Sequence, residues 1–225
     1  MRDVKLSNFQ KDILSFFGSH DFGKNFYWTG GTLLSCQYFH HRHSVDLDFF
    51  SDDLYADDQY SIFISELKKE TGADKISFSQ EHNRRLFLIA RKDESVKLEL
   101  VFFPFSAIEA RKKIKKFSIA IDSLTDIMIN KTLSAYQRNE PKDVYDLYYY
   151  LNHKPQYNLL KLIKLVEKKF GFAIEPALLL AKINQLAAEL EQLRPLLINQ
   201  EKNLAQKTKK FFQKIFNSFA KKYIK

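Results

Sequence analysis

Cysteine is almost absent from this chain, and its apolar residues never form a long uninterrupted run. The 225 residues include one cysteine, Cys36, so the chain cannot close a disulfide on its own, and no Cys/His spacing is typical of a zinc site. No apolar segment approaches the roughly 20 residues that a membrane-spanning helix needs, and the first residues lack a signal-peptide pattern. We therefore expect a soluble cytoplasmic protein that has no membrane partner.

Acidic residues are also scarce relative to basic ones, with 27 against 36, which gives a net charge of +9. Such an excess favours association with polyanions such as RNA, DNA or nucleotides. The segment 202–225 contains eight lysines and no acid. Its apolar residues form a helical stripe, which would pack on other helices while the lysines face solvent. Alternatively, the lysines bind RNA, or the segment forms a helix that lies on a membrane surface.

Glycine and proline number only six and five, and they separate well-defined segments. Short strands alternate with helices up to about residue 120, and only helical periodicity follows. The predicted strands are 25–29, 45–50, 75–79, 84–91 and 96–103, and the predicted helices are 5–19, 31–38, 57–70, 123–137, 142–152, 158–170, 175–193 and 199–223. We predict an α/β (α+β) protein, with a small, largely antiparallel sheet over residues 1–120 and a helical lobe over residues 121–225.

Two acids on one predicted strand carry the strongest chemical signal. Because side chains alternate along a strand, Asp46 and Asp48 share one face while Val45, Leu47 and Phe49 are expected to enter the core. Paired carboxylates are suitable ligands for Mg²⁺ or Mn²⁺, which also bind the phosphates of a nucleotide. The alternative is a solvated strand edge whose charges prevent aggregation.

A glycine pair precedes this strand, at the start of a predicted helix. Gly30 and Gly31 allow a sharp turn close to a phosphate, next to the free N–H groups of the helix, and Thr32 adds a hydroxyl. Arg42 and Ser44, just before the strand, are also candidate phosphate ligands. Together these residues predict a site for the triphosphate of an NTP.

A third carboxylate lies on another apolar strand. Glu99 is predicted either to bind metal and act as a catalytic base, or to form a plain outward face together with Lys97. We leave both interpretations open here.

The helical half contributes a charged cluster. Lys131 and Arg138 are spaced to share one helical face, where Lys131 would neutralise a triphosphate and Arg138 would contact the nucleotide. Asp143 and Asp146 lie one turn apart on the next helix, where they either belong to this charged cluster or merely offset the helix dipole.

The order of these elements resembles the nucleotidyltransferase AbiEii/AbiGii toxin family, part of the polymerase-beta-like nucleotidyltransferase superfamily. The resemblance covers about residues 26–151: the GGT turn, the run 42–50, Lys131, Arg138 and the run 142–148. It implies a nucleotidyltransferase α/β lobe over residues 1–120 and a helical lobe over residues 121–225.

The resemblance implies Mg²⁺-dependent transfer of a nucleoside monophosphate from an NTP to an acceptor. Relatives act on tRNA 3′ ends and are restrained by an antitoxin protein. By residue, Asp46 and Asp48 would hold metal, and Lys131 and Asp143 match later catalytic positions. Phosphate would be held by Gly30, Gly31, Thr32 and Ser44.

This chain departs from the family pattern at two positions. Glu99 stands where Asp is more usual, and Lys142 stands where Arg is more usual. Both keep their charge, but lysine lacks the bidentate fork of arginine.

We therefore hypothesise the toxin of a toxin–antitoxin or phage-defence system, which transfers NMP to RNA, with a tRNA 3′ end as the expected acceptor. Two alternatives stay open. One is an inactive protein that binds nucleotide or RNA on the same scaffold, and the other is an enzyme that modifies protein hydroxyls or a small molecule.

Overall fold

The computed structural model describes residues 5–154 and 157–223, and the chain divides into two compact units, Met1–Leu124 and Thr125–Lys225. The elements of the first unit are α1 (Asn8–Ser19), β1 (Tyr27–Thr29), α2 (Gly30–Leu33), β2 (Leu47–Ser51), α3 (Asp57–Thr71), β3 (Lys75–Glu81), β4 (Arg84–Arg91), β5 (Glu94–Phe102), β6 (Lys112–Ile114) and β7 (Ile119–Ile121). A π-helical segment, Leu34–Phe39, continues α2.

The strands form one seven-stranded sheet in the order β3-β4-β5-β2-β1-β7-β6. Two pairings, β2 with β5 and β1 with β7, are parallel, and the other four are antiparallel. The predicted mixed, largely antiparallel sheet is confirmed. The sequence missed β6 and β7, because strands of three residues are too short to show an alternating pattern.

The helix α1 begins at a capping box. The Ser7 hydroxyl accepts a hydrogen bond from the Gln10 backbone N–H, and the Gln10 side chain accepts one from the Ser7 backbone. The apolar face of α1 is buried, and Phe17 stacks on Phe49 of β2 with ring centroids 3.8 Å apart. The core of this unit therefore lies between one face of the sheet and its helices.

The strand β2 begins at Leu47, later than predicted. Leu47 and Phe49 are fully buried as expected, but Val45 is 62% exposed, so its predicted place in the core is wrong. Residues 45 and 46 lie in the loop before the strand, where the alternation of strand side chains does not apply. The buried Gln10 amide holds this loop by donating to the Val45 carbonyl oxygen at 2.9 Å.

The second unit is helical, as predicted. Its helices are α4 (Leu124–Gln137), α5 (Pro141–His153), α6 (Leu159–Phe170), α7 (Pro176–Ala187) and α8 (Leu204–Tyr223). The predicted helix 175–193 is too long, because α7 ends at Ala187 and a 3₁₀ segment, Leu190–Leu196, follows with Pro195 inside it. Within residues 5–154 and 157–223, no helix is both long and apolar enough to cross a membrane.

Candidate active site

Three predicted site elements lie side by side on the central strands of the sheet. Thr29 of β1 is paired with Asp48 of β2, and Asp48 is paired with Glu99 of β5. Residues directly opposite each other on neighbouring strands point to the same face. Asp48, Glu99 and the end of β1 therefore meet on the face of the sheet that is opposite to the Phe17–Phe49 stack.

Gly30 touches the side chain of Asp48. Its φ of +79° is in the left-handed region, and a Cβ added at this position would lie 1.8 Å from Asp48 Oδ2. Only glycine permits both the backbone turn and this close approach of the carboxylate. The turn after β1 and the Asp-x-Asp strand thus form one structural element, as the sequence predicts.

Gly31 lies against the other two predicted phosphate ligands. A Cβ on Gly31 would come within 2.7 Å of Arg42 Nη2 and 3.3 Å of Ser44 Oγ. The Thr32 hydroxyl donates to Ser44 Oγ at 2.9 Å. The structure therefore brings together all five residues to which the sequence assigns the phosphates: Gly30, Gly31, Thr32, Arg42 and Ser44.

The turn is fixed from its other side by Asp122, which the sequence analysis did not single out. The Thr29 hydroxyl donates to Asp122 Oδ2 at 3.0 Å, and the Tyr38 hydroxyl donates to the Asp122 carbonyl oxygen at 2.9 Å. Asp122 is 2% exposed, so these bonds are shielded from water. Its position just after the short strand β7 gave no sequence signal.

Glu99 is buried and bonded to two cations. Its Oε1 lies 2.6 Å from Lys97 Nζ, and its Oε2 lies 3.4 Å from Arg84 Nη1. From the sequence, Lys97 was considered only in the alternative to metal binding, as part of an outward face with Glu99, and Arg84 was not predicted to belong to the site. Side chains alternate along β5, so Lys97 is on the same face of the sheet as Glu99. This spacing of two residues was the sequence signal that could have predicted their contact.

The negative charges of this face converge on Lys97. Burial alone would lower the pKa of Lys97, but the hydrogen bond and charge of Glu99, together with the charges of Asp46 and Asp48, raise it above its ordinary value. Lys97 is therefore a cation at neutral pH. Asp46 itself is half-buried and lies one residue before β2, not on the predicted strand.

The chemistry of these donors suits a hard divalent cation. Among the described residues, no three His, Cys, Asp or Glu side chains are grouped closely enough to hold a metal ion. Mg²⁺, however, often binds to only one or two carboxylates and takes its other oxygens from water and substrate phosphates. Asp48, in contact with Gly30, and Asp46, two residues before it, fit that simpler requirement.

The second unit has its own buried charge cluster. Lys131 Nζ of α4 lies 2.6 Å from Asp143 Oδ1 and 3.0 Å from Asp146 Oδ2, both on α5. Asp143 and Asp146 are 4% and 0% exposed, so they do more than offset a helix dipole at a solvated surface. The predicted pair of Lys131 and Asp143 is brought together here.

Arg138 does not join this cluster. The helix α4 ends at Gln137, and Arg138, the next residue, is exposed. Its backbone N–H still donates to the Ser134 carbonyl oxygen at 2.7 Å, so the predicted shared helical face with Lys131 stays a prediction. The chain must leave the helix here because Pro141 begins α5 only a few residues later. Lys142 is half-buried, and its Nζ lies 3.8 Å from Glu140 Oε2.

Two solved structures from Helicobacter pylori resemble this chain in fold. One is a candidate nucleotidyltransferase with a TM-score of 0.59 and 17% identity, where the match covers 95% of this chain and 94% of the other. The second is JHP933, with a TM-score of 0.58 and 17% identity over 97% of this chain and 96% of the other. No curated protein sequence matches the chain at a significant level.

One family model matches nearly the whole chain, over residues 13–223. It describes the nucleotidyl transferase AbiEii toxin of type IV toxin–antitoxin systems. The match includes the glycine turn, the Asp-x-Asp segment and the Lys131 cluster, and extends the sequence resemblance into the last third of the chain. The protein is therefore an enzyme of the nucleotidyltransferase class, and it belongs to the AbiEii toxin family.

Proposed function

We propose that this protein transfers a nucleoside monophosphate from an NTP to a hydroxyl of RNA, as the toxin of a toxin–antitoxin pair. The observation that carries the proposal is the contact between Gly30 and Asp48, supported by the pairing of Asp48 with Glu99. A phosphate-binding turn and a carboxylate pair in direct contact are the parts that nucleotidyl transfer requires.

We assign the triphosphate to the glycine turn. The N–H groups at the start of α2 and the Thr32 and Ser44 hydroxyls would bind phosphate oxygens, and Arg42 would contribute its charge from beside Gly31. The buried bonds of Asp122 to the chain on either side of the turn keep it in place before the nucleotide binds. Such preorganisation means that little reorganisation is needed at the moment of reaction.

We assign the metal to Asp46 and Asp48, and the role of Glu99 as a third ligand stays a prediction. A bound Mg²⁺ or Mn²⁺ would neutralise the phosphate charge that develops during transfer. An acceptor hydroxyl then attacks the α-phosphorus in line, the bond to the bridging oxygen breaks, and pyrophosphate leaves.

In the second unit we assign Lys131 and Asp143 as a catalytic pair. Lys131 is a charge-neutralising group for phosphates, and Asp143 sets the position of its ammonium through the 2.6 Å contact. Lys131 is also held by Asp146 at 3.0 Å, which leaves its ammonium little freedom. Arg138 is a candidate nucleotide contact from the exposed end of α4.

RNA is the acceptor class that the charge of the chain favours, with a tRNA 3′ end as our specific expectation. The net charge of +9 and the exposed lysines of α8 provide an electrostatic footprint for a polyanion. As a type IV toxin, the protein is expected to have a cognate antitoxin.

The test is incubation of the purified chain with total RNA, Mg²⁺ and each of four NTPs that carry a label on the α-phosphate. We expect one NTP to label a small RNA, and we expect D46N and D48N to abolish that labelling while each variant unfolds at an unchanged temperature. Unchanged labelling in both variants would refute the site. Label on protein or on a small molecule would instead favour the alternative acceptors, and NTP binding without transfer would favour the inactive scaffold.

A further inference from the structure

Glu99 has two cationic partners within the chain. The residue is 8% exposed, and a buried carboxylate is stable only when its charge is compensated. Each of its oxygens has its own partner, Lys97 Nζ on Oε1 at 2.6 Å and Arg84 Nη1 on Oε2 at 3.4 Å. The Lys97 contact is as short as a strong charge-assisted hydrogen bond, whereas the Arg84 contact is longer and weaker.

Lys97 lies next to the carboxylate pair as well as beside Glu99. The parallel register pairs Asp48 with Glu99, whose Oε1 binds the Lys97 ammonium, and the charges of Asp46 and Asp48 both act on that ammonium. The side chain of Lys97 is 43% exposed, and Leu88, its neighbour on β4, is 52% exposed, so this edge of the site is open to ligands. The chain thus places a cation on the acidic face itself.

The Lys97 ammonium, held by Glu99, changes how many metal ions are needed to balance the charge on this face of the sheet. Two-metal sites use several carboxylates to hold two cations against the phosphates. Here the third carboxylate already binds an ammonium, so Asp46 and Asp48 are left to hold a divalent ion. We propose, on the basis of the function proposed above, that Glu99 is a positioning residue for Lys97 and not the third metal ligand that the sequence predicted, and that Lys97 takes the place of a second divalent ion beside Asp46 and Asp48.

The number of metal ions bound by the full chain tests this directly, without any measurement of activity. Free Mn²⁺ is followed by electron paramagnetic resonance as each variant is titrated. We expect one Mn²⁺ for each wild-type chain, nearly unchanged affinity in E99Q, and a loss of about tenfold or more in D48N. K97M frees Glu99 to act as a ligand and should gain a second Mn²⁺, whereas K97R keeps the cation and should still bind one.

Two Mn²⁺ ions on the wild-type chain would overturn the inference, as would an E99Q variant that loses as much affinity as D48N. Either result would leave the proposed function standing, because Asp46 and Asp48 would still bind metal. Mn²⁺ binding that neither D46N nor D48N reduces would instead count against the proposed function, and against the inference with it. The Mn²⁺ stoichiometry of the wild-type chain and the Mn²⁺ affinity of E99Q test the inference even if K97M does not fold.

Discussion

At the scale of single residues, the glycine pair shows how the chain joins two motifs that are separated in sequence. The backbone of Gly30 contacts the carboxylate of Asp48, and Gly31 leaves space for Arg42 and Ser44. The space that a Cβ would occupy at each glycine is thus taken by a side chain from residues 42–48, the segment that carries the two acids. A glycine pair followed by an Asp-x-Asp strand is informative because the two must pack against each other.

We expect G30A to impair nucleotide binding and to destabilise the fold by more than the ~1 kcal/mol typical of Ala at positive φ. Its Cβ would displace the Asp48 carboxylate, in addition to the backbone strain. G72A is the matched control, since Gly72 also has a positive φ, +64°, but has nothing within 4 Å of its added Cβ. Urea unfolding and NTP titration of both variants measure the difference, and equal losses would show that the Asp48 contact is unimportant.

Cys36 provides a test of burial in the segment after the glycine turn. Burial raises the pKa of its thiol to about 12, so at pH 8 only about one thiol in ten thousand is ionised. Iodoacetamide reacts with the thiolate, so alkylation at pH 8 should be slow in the native chain, fast in urea, and faster in both as the pH rises. Rapid native alkylation at pH 8, read by mass spectrometry, would contradict this packing.

At the scale of elements, pairs of neighbouring strands or helices bring the charged groups together. The parallel pairing of β2 with β5 sets Asp48 beside Glu99, and the contact of α4 with α5 sets Lys131 beside Asp143 and Asp146. In both places a lysine lies within 3.0 Å of a buried carboxylate. Each lysine therefore has a structural role as well as the role proposed for its positive charge.

We expect K131M to lower the free energy of unfolding by about 3 kcal/mol or more, because it removes the ammonium from two buried carboxylates. K142M is the control, since the side chains of Lys142 and Glu140 are 41% and 51% exposed and such a solvated pair contributes at most about 1 kcal/mol. Adding D143N and D146N to K131M should restore much of the stability. If K131M unfolds in urea like K142M, the buried cluster does not stabilise the second unit.

The elements that the sequence predicted correctly are those with a sustained pattern. The strands β3, β4 and β5 alternate over seven to nine residues, and α6 has an apolar stripe between an Asn158 cap and Gly171. The sequence also predicted that the Asp-x-Asp segment and the glycine turn belong to one site. The rest depends on tertiary contacts: the neighbours of Asp122 are distant in sequence, and the partners of Glu99 depend on strand register.

At the scale of the whole molecule, part of the excess of positive charge lies on the exposed face of α8. The helix α8 buries Leu204, Thr208, Phe212 and Phe216 at a spacing of four residues, and it leaves Lys207, Lys210, Lys214 and Lys221 exposed. The apolar stripe therefore packs, as one interpretation of the sequence predicted. Lys210, Lys214 and Lys221 line an open surface on the opposite side of the helix, which is available to a polyanion.

We expect K210Q/K214Q/K221Q to weaken RNA binding and to reduce the slope of log affinity against log salt by about two to three, because each lost phosphate contact removes about 0.7–0.9. The exposed α6 lysines give a control of equal charge, K161Q/K164Q/K168Q. Fluorescence anisotropy with labelled total tRNA at several salt concentrations measures both slopes. Equal slopes for the two triple variants would show that RNA responds to net charge and not to α8.

The central claim is that the glycine turn and the carboxylate pair transfer a nucleotide, not a phosphate. Parallel reactions with NTP labelled on the α-phosphate or on the γ-phosphate test it most directly. We predict that the acceptor gains the α-label, that the γ-label is released as pyrophosphate, and that D48N abolishes both. An acceptor that gains the γ-label, or an α-labelled acceptor that forms equally with D48N, would contradict the account.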